Sequence, residues 1–381
     1  MNWRRPLSII AFCLMASNAM AELNFNGFLS VGAGALVDDD EVTEYEGFDG
    51  DWSTDPDTVF ALQLSAPISD KVTATGQLIA RGQDDYSVEA EWAYLAYAVN
   101  ENWDVRVGRL RAPFFLYSDF LDVGYTYPWI RPPSRTYRIP FSSVEGMDTL
   151  YRSNFGDWDS TLQAFYGRFN DDLDTAAGSL ELDLVGFTGI NWTVNKDWLT
   201  MRFGMTDSEL SLDTPAALQP LIDGLTLAGF PTVAEALVTD DLGSRFYSAA
   251  IAIDYNDWLL TTEGTWAIYD GDNTLSDTDT VYVMVGRRFG AVTVHASYDH
   301  SETDPDSDFV NAIPAGVAPA LDGLRAAAAS VVTTDEFTDV TIGLRYDFAP
   351  STAFKFDVTR TEDEVTGDKG TLVSFAFDLV F

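Results

Sequence analysis

Six arginines are concentrated in one part of an otherwise acidic chain. The whole chain has 60 acidic and 22 basic residues and a formal net charge of −38. Between Val105 and Ser143, however, only Asp119 and Asp122 are acidic. Guanidinium groups can bind carboxylate or phosphate oxygens through two parallel hydrogen bonds, so this composition predicts a site that meets anions. The six arginines are Arg106, Arg109, Arg111, Arg131, Arg135 and Arg138.

Few other residues could carry chemistry. His295 and Ser297 would share one face of a strand, because residues two apart point the same way, but only Asp299 is near enough to orient such a pair. The sequence shows no glycine-rich phosphate loop and no His/Cys metal cluster. We therefore predict no catalytic residues, no metal and no cofactor. Nucleic acid is excluded as a partner, because its binding depends on cationic side chains that neutralise phosphates and this chain is strongly acidic.

The first 21 residues predict a cleaved secretory signal. Arg4 and Arg5 precede a largely apolar run of ten residues, and small residues occupy Ala19 and Ala21. The run is about half the ~20 residues that a spanning helix needs. Residues 22–381 would then be a single domain, with 20 basic residues left and a net charge of −40. The only cysteine, Cys13, would leave with the signal.

Alternating apolar and polar residues dominate the rest of the chain. In Leu199–Thr206, Val292–Asp299 and the terminal Thr371–Phe381, apolar side chains recur at every second position. This period predicts strands with one apolar and one polar face. No later segment approaches ~18 consecutive apolar residues, so we expect no transmembrane helix. A secreted chain can still span a membrane as a closed barrel of strands ~10 residues long.

The connections between these strands alternate in length. Seven are short turns, and four of them end in tryptophan, as in Asn195–Trp198 and Tyr255–Trp258. Eight others are mostly longer, which requires sixteen strands with the longer loops on one rim. We predict an all-β, 16-stranded antiparallel transmembrane barrel, with short helices in Pro215–Phe230 and Ala320–Val332. The eight predicted loops are 38–57, 82–85, 113–145, 170–179, 207–243, 270–278, 301–336 and 361–370.

The sixteen-strand layout, the strand Val105–Phe115 that runs into the third loop, and the terminal Ser374–Phe381 together carry a resemblance. The chain resembles the trimeric Gram-negative outer-membrane porins, and most closely their phosphate- and dicarboxylate-selective members. The resemblance implies that the third loop folds into the lumen and narrows a water-filled channel for small hydrophilic solutes. It also implies that Phe381 is the assembly signal read by the barrel-insertion machinery.

The resemblance implies further partners in the outer membrane. These are lipid, lipopolysaccharide and two further copies of the chain in a homotrimer. Small residues at Ala90, Ala96 and Ala98 would face outward and suit contact between subunits. The acidic outer loops offer carboxylates that could hold divalent cations against anionic lipid.

Within such a channel, rings of guanidinium groups favour anions. We expect Arg131, Arg135 and Arg138 to form an anion-favouring constriction, with Asp119 and Asp122 as its opposite lip. The alternative is that these arginines pair with wall carboxylates and leave no free positive field. Four further arginines are expected on lumen-facing strand positions: Arg106, Arg152, Arg202 and Arg345.

Other functions remain open from the residues alone. A secreted acidic β-rich binding protein would not need the regular alternation of turns and loops. A surface receptor or adhesin would use exposed loops, and a barrel hydrolase would depend on the weak His295–Ser297 arrangement. The channel accounts for more of the sequence than any of these.

Overall fold

Sixteen strands with one apolar and one polar face close on one another here, with the apolar face outward and the polar face toward the interior. The computed structural model describes residues 23–37, 42–175, 178–305, 308–332 and 334–381. The predicted signal and Glu22 lie outside these residues. The strands are β1 Asn24–Leu36, β2 Val59–Ser69, β3 Val72–Arg81, β4 Val88–Asn100, β5 Trp103–Arg111, β6 Ser143–Phe155, β7 Trp158–Thr175, β8 Gly178–Lys196, β9 Leu199–Leu212, β10 Thr239–Tyr255, β11 Trp258–Tyr269, β12 Asp277–Phe289, β13 Val292–Asp304, β14 Glu336–Ala349, β15 Thr352–Asp363 and β16 Lys369–Val380.

Each strand pairs antiparallel with its sequence neighbours, and β1 pairs with β16. The predicted sixteen-stranded closed barrel is therefore confirmed. The closure continues to the last residue, because Gly27 and Phe381 exchange two backbone hydrogen bonds of 2.8 and 2.9 Å. A closed sheet leaves no edge with unpaired backbone groups, which is the condition for crossing a bilayer.

The two faces of the wall differ in polarity. Outward-facing Leu62, Val283 and Ile342 are exposed, whereas Thr261 and Glu263 on the inner face of β11 are buried. Partly exposed tryptophans stand beside the short turns, at Trp103, Trp198 and Trp258. An apolar outer band bordered by aromatic rings matches the surface that a bilayer requires.

The seven predicted short turns are confirmed as tight hairpins. Asn256 and Asp257 both have positive φ, of 51° and 67°, which these residue types tolerate. The fourth predicted loop, 170–179, is wrong in extent. β7 and β8 are 18 and 19 residues long and continue pairing out to Thr175 and Gly178.

Two of the long loops contain helices at the predicted stretches, and one of these loops holds a further short helix that was not predicted. In one loop, α1 (Gln219–Leu227) is followed by α2 (Pro231–Glu235), and in another lies α3 (Pro319–Ala329). The three pack together around buried Leu225, Val233 and Ala328. No helix in the described part of the chain is long and apolar enough to cross a membrane.

The expected outward position of Ala96 and Ala98 is wrong. A bulge at Glu91 inserts one residue into β4, so that Gln77 pairs with Trp92 but Leu78 pairs with Ala90. An extra residue reverses the faces of every later position. Ala96 and Ala98 therefore lie opposite Arg106 and Asp104 on the inner face, while Ala90 stays outward.

Candidate functional site

The segment Ala112–Ser142, called the lumen loop below, lies inside the barrel between β5 and β6. It carries the Arg-rich stretch and contacts inward-facing side chains of strands from β3 round to β16. Its only regular structure consists of two short 3-10 turns, Ser118–Phe120 and Gly124–Thr126. Five prolines limit the backbone freedom of the loop, since each fixes φ and removes a donor: Pro113, Pro128, Pro132, Pro133 and Pro140.

The first part of the loop is held by β8 to β11. Asn191 and Arg202 donate to the carbonyl of Pro113 at 2.9 and 2.6 Å, and Ser248 donates to that of Phe114 at 2.8 Å. The backbone N–H of Leu116 donates to Glu263 at 2.8 Å. Backbone groups that lack partners within the loop are thus satisfied by the wall, as buried polar groups require.

Arg131 is paired with the wall rather than free. Its guanidinium forms an ion pair with Asp57 and donates to Ser374 at 2.8 Å. It also lies over the ring of Phe48 at 5.1 Å. Burial lowers the pKa of Arg131, but the neighbouring Asp57 outweighs burial and raises it.

Arg135 is paired in the same way. Its Nε lies 2.9 Å from Asp339, and its guanidinium stacks over Phe337 at 4.1 Å. The backbone N–H of Arg135 and the hydroxyl of Thr136 both donate to Asp299, at 2.8 and 2.7 Å. Both arginines are therefore paired with carboxylates, Arg135 with Asp339 of β14 as the alternative expects, and Arg131 with Asp57 of the first long loop.

Arg138 differs from both. Its side chain is exposed, and no ion pair joins it to any residue that the structure describes. It lines a cavity of about 350 Å³ together with Glu46, Asp57 and Arg131. Of Arg131, Arg135 and Arg138, it alone has an exposed side chain and presents its charge to open space.

The two acidic residues of the loop occupy different surroundings. Asp122 binds Arg81 at 3.1 Å and Arg111 at 2.7 Å, and both arginines also bind Glu91. Burial would raise the pKa of Asp122, but Arg111 and Arg81 outweigh burial and hold it below its ordinary value. Asp122 is therefore balanced by two arginines, and its part in an acidic lip stays a prediction. Asp119 is exposed in the lumen.

The four strand arginines predicted to face the lumen have partners there or near it. Arg202 and Arg345 donate to backbone carbonyls of the lumen loop. Arg106 forms an ion pair with Asp148, which also accepts from Gln163 at 2.8 Å. Half-exposed Arg152 pairs with Asp104 closer to the short-turn rim. Arg106, Arg152 and Arg345 are thus each paired with a carboxylate, whereas Arg202 donates to neutral oxygens.

Aromatic side chains of the loop pack against the wall. Tyr127 and Trp129 form a buried cluster with Tyr282 and Met284. Trp129 also donates to Ser297 at 3.2 Å, so this serine is occupied by the loop. His295 instead faces Asp357 at 3.3 Å and is fully buried. The weak hydrolase arrangement of His295 with Ser297 therefore has no open site.

Two open spaces border the loop. One, of about 560 Å³, lies toward the short turns and is lined by Tyr125, Tyr127, Arg288 and Arg345. The 350 Å³ cavity beside Arg138 lies toward the long loops, and Tyr127 lines it as well. The lumen loop thus stands between two solvent-accessible compartments of the barrel.

The sequence pattern gives no indication that Lys355 is the most deeply buried cation of this region. Lys355 lies within β15 on its polar face, and its side chain has no exposed surface. The alternation of apolar and polar residues in β15 predicts that Lys355 faces the interior of the barrel, and this is the signal that the sequence offers. Its partners could not be read from the pattern, because the loop carbonyls that it binds lie more than 220 residues away.

No protein-family model matches the chain, and no curated protein matches it significantly in sequence. Solved structures do match. The anion-selective porin from Comamonas acidovorans has a TM-score of 0.56 at 12% identity, over 94% of this chain and 99% of its own. The outer-membrane channel DcaP of Acinetobacter baumannii has a TM-score of 0.59 at 12% identity, over 94% and 97%.

A third similar structure is the trimer form of OmpT, an outer-membrane protein of Vibrio cholerae. It has a TM-score of 0.57 at 11% identity, over 94% of this chain and 99% of its own. At such identities the likeness concerns the fold, which is the sixteen-stranded barrel that these outer-membrane proteins share.

Proposed function

We propose that this chain is an outer-membrane porin, a water-filled channel through which small hydrophilic solutes diffuse passively. The observation that carries the proposal is a closed sixteen-stranded barrel crossed by one wall-bound loop between two open compartments. A barrel of this size is too wide for its wall side chains to fill. A loop in its lumen then sets the narrowest passage and the charges that solutes meet.

The same proposal gives the chain its place and partners. The predicted signal of residues 1–21 would export it, and the apolar outer band would seat it in the outer membrane among lipid and lipopolysaccharide. Phe381, at the end of the strand that closes the barrel, would be read by the assembly machinery. Assembly as a homotrimer is part of this proposal.

Preference for anions remains a prediction, and it depends on fewer unpaired arginines than the sequence indicates. Arg131 and Arg135 are each neutralised by a carboxylate at close range. Arg138 is the loop arginine that keeps an open charge, and Glu46 is its competitor in the same compartment. Charge near a narrow, low-dielectric wall acts more strongly than charge in the wet outer loops.

Planar-bilayer recording tests both the porin function and the preference for anions. The purified protein should produce discrete conductance steps in symmetric salt, and liposomes that contain it should swell in small neutral sugars. A protein that is folded as a barrel but gives neither would contradict the porin function. A reversal potential of cation-selective sign in a moderate salt gradient would contradict the anion preference alone.

A surface-receptor or adhesin role would use the packed helices α1, α2 and α3, which lie in the longer loops. Nothing in their geometry favours a particular partner. The channel is therefore the function that the structure supports best.

A further inference from the structure

Two cationic side chains stand directly opposite one another on the inner wall. Arg345 of β14 and Lys355 of β15 are register partners. Like charges at opposed positions of a sheet repel and destabilise the pair. Such an arrangement persists only where both charges are compensated by other groups. The compensating groups here belong to the lumen loop and to two carboxylates.

Lys355 is surrounded by acceptors. Its ammonium donates to the carbonyl of Gly124 at 2.5 Å and to that of Trp129, and it pairs with Asp378 at 2.9 Å. It also lies over the ring of Tyr127 at 4.8 Å. The three donors of an ammonium group are thus used by one carboxylate and by two ends of a single turn of the loop.

Arg345 holds the middle of the same turn. Its Nη1 donates to the carbonyls of Tyr125 at 2.6 Å and Tyr127 at 3.0 Å, and its other side faces Asp347 at 2.8 Å. The guanidinium also stacks on the ring of Tyr125 at 4.6 Å. Together the two cations bind four carbonyl groups within six consecutive residues.

This turn is built to approach the wall closely. A Cβ added at Gly124 would lie 2.6 Å from a carboxylate oxygen of Asp378 and 2.8 Å from the hydroxyl of Ser30. Only glycine permits that approach. Pro128 follows within the turn and brings no N–H that would need a partner. The carbonyls of the turn face the two cations, while the side chains of Tyr127 and Trp129 pack on Tyr282 and Met284 of β12.

We propose that Arg345 and Lys355 form a cationic clamp that positions the turn Gly124–Trp129 and thereby sets the cross-section of the channel. Both are positioning residues, since each binds the loop backbone; Lys355 is fully buried, whereas Arg345 also lines the compartment of about 560 Å³, so the mobility of the loop is the readout specific to the clamp. The inference rests on the proposed porin function for its consequence in conductance. The position of the loop itself can be measured without conduction.

The first test is single-channel conductance of the full chain in lipid bilayers. Lys355→Met alone would leave Asp378 buried without a partner, which can prevent folding. The double variant Lys355→Met/Asp378→Asn removes both charges and keeps the volume nearly constant. Arg345→Gln removes the second half of the clamp. Lys369→Met is the matched control, because Lys369 pairs with Glu362 at the long-loop end of β16.

The expected result is a rise of roughly twofold in conductance, with more frequent current fluctuations, when the loop is released from the wall. The control variant should conduct like the wild type. All variants are first shown to be folded by their heat-dependent shift on gels. Folded clamp variants with wild-type conductance and noise would overturn the proposal.

The second test reports on the loop directly. Thr126 is exposed at the turn, so a nitroxide attached to Thr126→Cys reports the mobility of the turn by electron paramagnetic resonance. The label should be immobile in the wild type and the control, and mobile in the clamp variants. Equal mobility in all of them would overturn the clamp. If no protein conducts but the label becomes mobile, the clamp stands and the porin function fails.

Discussion

At the scale of single residues, pairing decides what each lumen arginine can do. Arg131 and Arg135 are bound to Asp57 and Asp339, so their charges position the loop and contribute little free field. Arg138 is exposed beside Glu46 in a shared cavity. The same residue type in one short stretch therefore serves two different purposes.

Replacing Arg138 should change selectivity with little effect on the loop. We expect Arg138→Ala to shift the reversal potential toward cations at moderate salt, because it removes an unpaired positive charge from the compartment. Conductance noise should stay at the wild-type level. The measurement is the zero-current potential across a bilayer in a salt gradient.

Arg168→Ala is the matched control for this substitution. Arg168 is an exposed arginine of β7, on the same face as outward Tyr166. It should leave the reversal potential unchanged. A reversal potential of Arg138→Ala equal to that of the wild type would show that the open charge does not govern selectivity.

The alternation of side chains between the two faces of a strand made part of this site predictable. Alternation on single strands correctly placed Arg202 and Arg345 on the lumen side. The loop carbonyls that they bind could not be predicted, because Pro113 lies 89 residues from Arg202 and Tyr125 lies 220 residues from Arg345. The sequence alone therefore indicated where charge is concentrated but not which charges cancel.

At the scale of elements, one inserted residue changed a whole strand. Period-two patterning predicted β4 well, but the bulge at Glu91 reverses the faces beyond it. This bulge leaves no clear signature in the sequence, because alanine occurs on both faces of β4 beyond Glu91. The helices α1 and α3 in the long loops are more predictable, because their sequence signals are local.

The packed helices should unfold independently of the barrel. Leu225 is completely buried among α1, α2 and α3, so Leu225→Ala should destabilise these helices by about 2–5 kcal/mol. We expect faster proteolysis within 213–238 and an unchanged heat-dependent gel shift of the barrel. Leu227→Ala, at a position that is 89% exposed, is the control. Loss of the gel shift in Leu225→Ala would show that the helices support the barrel.

The terminal strand should be needed for assembly. Phe381 pairs with Gly27 through both backbone groups and completes the closure of β16 on β1. We expect deletion of Phe381 to reduce the amount of folded protein in the outer membrane while secretion continues. Immunoblots of outer-membrane and periplasmic fractions measure this.

Phe381→Tyr is the comparison for the deletion, because it keeps the backbone pair and an aromatic ring. It should assemble like the wild type. Normal outer-membrane levels of the deleted chain would rule out Phe381 as an assembly signal.

At the scale of the whole molecule, we expect a trimer. The small outward residues that suit a subunit contact are Gly76, Ala90 and Ala93, which adjoin one another on β3 and β4. Gly76→Trp should convert a slowly migrating trimer band into monomer on unboiled gels, because a large ring separates the surfaces. Val283→Trp, on the outward face of distant β12, should leave the trimer intact. A wild-type sample that runs only as monomer in native detergent would contradict trimer assembly.

The reach of the lumen loop has a consequence for the order of folding. Arg131 bonds Ser374 across 243 positions of sequence, and Lys355 binds Gly124 across 231. Contacts between such distant positions form late, because the intervening chain must first be ordered. These two contacts can form only once β15 and β16 are in place, whereas Pro113 and Phe114 bind β8 to β10. We therefore expect refolding to show hairpin and barrel signals first and the burial of Trp129 last.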